Sequence, residues 1–144
     1  MRKVALAIIR KKDKYLVEKF RDEFPAVYFY KLMGGGIEDG ESPQKALCRE
    51  IKEELKSDIT ILSKLLICED SFTYLGIRRE IKAYIMEARF NNERDYEFTQ
   101  KFVYSPQGDF LSIAMWKTLS EIKEEGLVLY PRPLKEKLMK GKNS

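Results

Sequence analysis

The chain has 144 residues, 44% of them hydrophobic, with 27 Lys and Arg against 23 Asp and Glu; this length closes around one core, so a single folded domain over residues 1–144 is expected. The net charge of +4 suits small anionic ligands and lacks the concentrated basic footprint of a nucleic-acid binder, so no stable nucleic-acid partner is expected. There is no histidine, which excludes Ser-His-Asp and Cys-His catalysis, HExxH zinc hydrolysis and any His-ligated metal.

The apolar runs at 3–9 and 14–20, separated by polar Arg10 to Asp13, predict a β-hairpin. The run from Val27 to Leu32 is aromatic and leads into Gly34, Gly35 and Gly36, which predicts a strand entering a glycine loop that continues to Gly40. Ser42 followed by Pro43 is a helix-start signal, because the hydroxyl caps free N–H groups and Pro at the first helical position loses no hydrogen bond. A helix over about 43–56 follows. Ile59 to Cys68 and Glu80 to Phe90 read as strands, with Ser71 to Gly76 between them as a strand edge or turn. Segment 91–112 reads as loop with irregular pieces, and Ile113 to Lys117 as a last short strand. A short helix opened by Ser120 and a terminal helix over about 134–140, after the breaks at Pro131 and Pro133, complete the chain. The pattern is α+β, layered as a mixed β-sheet sandwiched between α-helices. No apolar stretch approaches the roughly 20 residues of a membrane span, and Val4 to Ile9 is shorter than a signal-peptide core. With Cys48 and Cys68 far apart and read as packing residues, a cytoplasmic setting is expected.

Around the helix, Leu47, Ile51 and Leu55 fall on one stripe; Glu50 and Glu54 sit beside it and Glu53 farther round. Carboxylates this close repel unless a cation lies between them, and an all-oxygen ligand set is what Mg²⁺ or Mn²⁺ prefers. Arg49, four residues before Glu53, can orient that carboxylate.

Gly35, Glu41, then Arg49, Glu50, Ile51, Glu53 and Glu54 match G-x5-E-x7-R-E-U-x-E-E, where U is aliphatic. Residues 35–57 thus resemble the Nudix box of the MutT-like Nudix hydrolases, whose pattern continues x-G-U; Lys56 and Ser57 stand where that family has glycine and an aliphatic residue. Upstream, Leu32 to Glu41 is similar to the family's L-P-G-G-G-I-E-x-G-E, with Met33 in place of proline. Downstream, Trp116 to Ile122 resembles a Trp-then-short-helix segment of many members. The resemblance implies a Nudix fold and hydrolysis of a nucleoside diphosphate linked to another moiety, a small-molecule nucleotide substrate, with Mg²⁺ or Mn²⁺. Carried over by position, Glu50, Glu53 and Glu54 bind metal, one of them placing or deprotonating water, with Glu53, Glu50 and Arg49 as the catalytic set. Arg49 and Glu41 support the geometry, and Gly34, Gly35 and Gly36 let backbone approach phosphate. Homodimers are common in the family. The competing reading is a non-catalytic Nudix-like domain that senses a nucleotide or RNA.

Weaker signals lie outside the box. The resemblance also makes Glu97 and Asp109 candidates for the extra acidic ligand or base that some family members supply from a loop near the C-terminal end. Arg78 and Arg79 with Tyr74 suit phosphate contact and base stacking, and Tyr28, Phe29 and Tyr30 are candidate pocket aromatics. The basic tail from Lys135 to Lys142 reads as a solvated helix end.

Overall fold

The computed structural model describes residues 1–23, 26–63 and 66–142. Strands β1 (Arg2–Ile8), β2 (Arg10–Lys11), β3 (Lys14–Glu23) and β4 (Ala26–Gly36) precede helix α1 (Pro43–Leu55). Then come β5 (Ile59–Ile61), β6 (Leu66–Tyr74), β7 (Ile77–Phe90), a 3-10 turn (Glu93–Tyr96), β8 (Gln100–Tyr104) and β9 (Phe110–Lys117). Helix α2 (Leu119–Glu125), β10 (Leu129–Tyr130) and α3 (Arg132–Lys142) close the chain.

The strands form one curled mixed sheet in the order β5-β7-β1-β4-β3-β9-β8, with β10 beside β4, β2 beside β3 and β6 beside β7. Its two faces bury different residues, as the alternation of side chains along a strand requires. One face packs Ala5, Leu16, Met33 and Trp116 against Ala46, Leu47, Ile51 and Leu55 of α1. The other packs Leu6, Val17, Leu32 and Ile85 against Leu119 and Ile122 of α2 and Leu134 and Leu138 of α3. The architecture is therefore α+β, a mixed sheet between helices.

Several local expectations are corrected. The runs at 3–9 and 14–20 do not pair as a hairpin; β1 pairs antiparallel with β4 and parallel with β7, and only the stub β2 folds back on β3. Gly34, Gly35 and Gly36 are not loop but the end of β4, opposite Leu6, Ala5 and Val4; the loop begins at Ile37. The single strand at 59–68 is two, β5 and β6, separated by a segment whose residues 64 and 65 lie outside the described ones. Strand β6 continues through Ser71 to Tyr74, where an edge or turn was expected, and turns into β7 at Leu75 and Gly76, both at positive φ. Segment 91–112 holds β8 and the start of β9, paired to each other. The cap of α2 is Thr118, not Ser120, in a reciprocal capping box with Glu121. Cys48 is exposed rather than packed, whereas Cys68 is buried. Leu138 within the basic tail is a core residue, as is Leu134 just before it, so α3 docks one face and is not wholly solvated.

Candidate active site

Helix α1 begins as its sequence dictates. Ser42 Oγ accepts from the Lys45 N–H and Pro43 opens the first turn. The helix ends with Lys56 in the left-handed conformation, φ 60°, where glycine would be at ease; the Lys56 ammonium donates to the Glu53 carbonyl at 2.7 Å, answering one carbonyl of the last turn. The turn that the family closes with glycine is thus kept with a lysine.

Arg49 ties this helix to the end of β4. It donates to both oxygens of Glu41, at 2.7 and 2.9 Å, to the Gly36 carbonyl at 2.9 Å and to Glu50 at 3.0 Å. Its approach to Glu53 is longer, 3.4 Å, so its main grip is on the loop and Glu50 rather than on Glu53. Glu41 in turn accepts from the Glu38 N–H. The Arg49 hydrogen bonds hold the Glu41 carboxyl down at about 2, and its partners push the guanidinium further up.

Gly35 is bare because Glu50 lies on it. A Cβ there would stand 2.5 Å from the Glu50 carboxyl carbon, far inside ordinary contact. Gly34 is bare for another reason: its φ is +137° and a Cβ would stand 2.0 Å from the Ala5 carbonyl oxygen.

These parts surround a cavity of about 720 Å³. One side is acidic, lined by Glu50, Glu53 and Glu54 of α1, with Gly34 to Gly36 beside them. Glu53 is the more exposed, its side chain 45% accessible. Burial raises Glu50, and burial together with the neighbouring Glu18 carboxylate pushes Glu54 up to about 10, against the pull of Lys31. Glu54 Oε1 is buried without a hydrogen-bond partner. The other side is aromatic, with Phe20, Phe29, Phe72 and Tyr74 from the sheet and Phe102 and Tyr104 from β8. Phe20 stacks on Phe29 at 5.4 Å, and Tyr74 meets Phe29 edge-on at 5.7 Å.

Of the weaker candidates, Tyr74 lines this cavity but Arg78 does not; Arg78 is exposed and reaches Glu80 at 3.8 Å. Its neighbour Arg79 turns in instead, over the Tyr74 ring at 5.8 Å, with a buried Nε lacking a hydrogen-bond partner. Glu97 caps the 3-10 turn and Asp109 closes the β8–β9 turn; both are exposed and outside the cavity lining. Phe29 lines the cavity, while Tyr30 is buried in the opposite core and Tyr28 is exposed. The charged groups at the cavity that the sequence did not single out are Arg2, Glu18, Lys31 and Lys101. Glu18 and Lys31, paired at 2.9 Å across β3 and β4, sit in alternating rows with Leu16, Phe20, Phe29 and Met33, and a charge in each apolar row was the available signal.

The donor set suits a hard divalent cation: oxygen ligands only, one of them buried and unpartnered. As the side chains stand, no three acidic or thiol groups among the described residues converge on one point.

The NUDIX domain matches residues 1–138, and the chain belongs to the Nudix family. Its fold is similar to the MutT protein from Methanosarcina mazei Go1, with TM-score 0.66 and 16% identity over 99% of this chain and 96% of that one. It is also similar to the E. coli ORF135 protein, with TM-score 0.60 and 23% identity over 96% and 89%. The MutT NUDIX hydrolase from Burkholderia pseudomallei aligns with TM-score 0.56 and 25% identity over 83% and 84%. No curated protein matches the chain.

Proposed function

We propose that the protein is a Mg²⁺- or Mn²⁺-dependent pyrophosphohydrolase that cleaves the phosphoanhydride of a nucleoside diphosphate linked to another moiety. The observation that carries this reading is a single cavity with glutamates of α1 at one side and a wall of aromatic rings at the other, a fit to a molecule with a charged diphosphate and a flat base. Glu50, Glu53 and Glu54 would hold the cation, which supplies charge neutralisation of the diphosphate and a water of lowered pKa. Arg49 keeps Glu50 seated over Gly35 and fixes the loop through Glu41. The backbone of Gly34 to Gly36 lets phosphate approach where side chains would stand in the way. One of the three glutamates positions the attacking water, a task that falls to a carboxylate in a chain without histidine. Tyr74, and the sheet aromatics with it, stacks the base. The chain works on small-molecule nucleotides in the cytoplasm with its two cysteines as free thiols, and needs no nucleic-acid partner.

The test is release of phosphate or nucleotide from a panel of nucleoside triphosphates, ADP-ribose, nucleotide sugars and dinucleoside polyphosphates, with Mg²⁺, with Mn²⁺ and with chelator. Metal-dependent turnover of one class is the expected result. Tight binding of one compound with no turnover of any would place the chain among nucleotide sensors instead.

A further inference from the structure

Glu18 is buried to 1% exposure in the middle of β3, between Leu16 and Phe20 on the same face. A buried carboxylate is expensive, and an apolar side chain would serve the sheet better. Its surroundings are nevertheless built for it. The buried Ser112 hydroxyl donates to Oε1 at 2.9 Å, and Lys31 Nζ lies 2.9 Å from Oε2. Glu54 of α1 lines the same cavity as Glu18, and its Oε1 is buried with no hydrogen-bond partner. Carboxylates from two elements that share one cavity favour a cation between them. Resting on the hydrolase reading, we infer that Glu18 is a further ligand of the divalent cation, supplied by the sheet opposite the three glutamates of α1. Ser112 and Lys31 fix its carboxylate toward the cavity. The competing role for Glu18 is only that of counter-ion to Lys31.

Mn²⁺ titration calorimetry on the full chain without nucleotide separates these roles. Glu18→Gln keeps the shape and the contact with Ser112, and weakens Mn²⁺ binding about tenfold or more, the scale of losses at residues supporting a metal site. That result alone also follows if Lys31, left unpaired, merely repels the cation. The deciding variant is therefore Glu18→Gln/Lys31→Met, which removes one charge of each sign and exchanges a buried pair for neutral groups of similar size, a change that cores tolerate. If Glu18 is a ligand, the double variant still binds Mn²⁺ about tenfold more weakly than the native chain. Native-like affinity in the double variant would overturn the inference and leave the hydrolase reading intact. No Mn²⁺ binding by the native chain would overturn both.

Discussion

Gly34 and Gly35 are neighbours on β4, yet their replacement by alanine has opposite consequences. At Gly35 the backbone is ordinary, and the atoms nearest the added methyl are those of the Glu50 carboxyl, at 2.5 to 2.8 Å. Ordinary contact needs about 3.5 Å, so the carboxyl must retreat by about 1 Å, an off-rotamer shift worth roughly 0.5–1.5 kcal/mol. The fold survives that. Glu50 is, however, held by Arg49 at 3.0 Å and is a proposed metal ligand, and a displacement of about 1 Å costs a catalytic constellation roughly 10²-fold. At Gly34 the obstacle is backbone: the Ala5 carbonyl oxygen at 2.0 Å in the β1 pairing, with φ at +137°. Overpacking and strain together cost about 3 kcal/mol or more there. Thermal denaturation and Mn²⁺ titration on both variants should give, for Gly35→Ala, a nearly native melting temperature with Mn²⁺ affinity and turnover severely reduced. Gly34→Ala should instead lose stability outright. A stable, fully active Gly35→Ala would refute the close seating of Glu50 as a functional feature.

Lys56→Gly relieves a left-handed residue at the end of α1 and should stabilise the chain by about 1 kcal/mol, seen as a rise of about 4 °C in melting temperature. A fall would mean that the lysine's bond to the Glu53 carbonyl outweighs the backbone strain. Asp70 anchors α3: it accepts from the Arg132 backbone at 2.8 Å and from the Arg132 guanidinium at 2.6 Å. Burial alone would raise the Asp70 carboxyl, but the Arg132 bonds prevail and hold it below its ordinary range. An acid whose folded value is depressed contributes stability that is present above its unfolded value, about 3.9, and is lost as pH falls through the folded value. Asp70→Asn should thus cost about 1 kcal/mol at pH 7, discounted for the exposed Arg132, with the gap to the native chain closing below about pH 4 in urea titrations. A gap that persists at pH 2 would show that the ion pair is not its source.

What the sequence revealed and what it concealed divide along physical lines. Helix α1 was legible from end to end because its signals are local: Ser42 and Pro43 at the start, Leu47, Ile51 and Leu55 on the buried stripe, Glu50 and Glu54 beside it. The pairing of β1 was not, since a strand parallel to β7 is joined across some seventy residues, and nothing nearby in the chain encodes it. The glycines of β4 read as loop because glycine is a poor strand former; what they lie against, Ala5, Glu50 and Arg2, is set by tertiary packing. Strand β8 was hidden by its polar flanks, and Thr118 by the equally plausible hydroxyl of Ser120. In the cavity, the three glutamates were visible as a motif and Arg79 as a companion of Tyr74, whereas Glu18 and Lys31 belong to it through tertiary packing. Their charges stood in apolar strands, a signal that marks a site only once the opposing face is known.

Whether the carboxylates of α1 hold a cation to hydrolyse a diphosphate is decided by comparing the native chain with Glu53→Gln on the compound that the panel selects, with Mg²⁺ or Mn²⁺ and with chelator. Glu53 is half-exposed at the cavity rim, so the substitution should leave the melting temperature unchanged while turnover collapses to the chelator background. Turnover that persists in Glu53→Gln, or that is indifferent to metal in the native chain, would contradict the account.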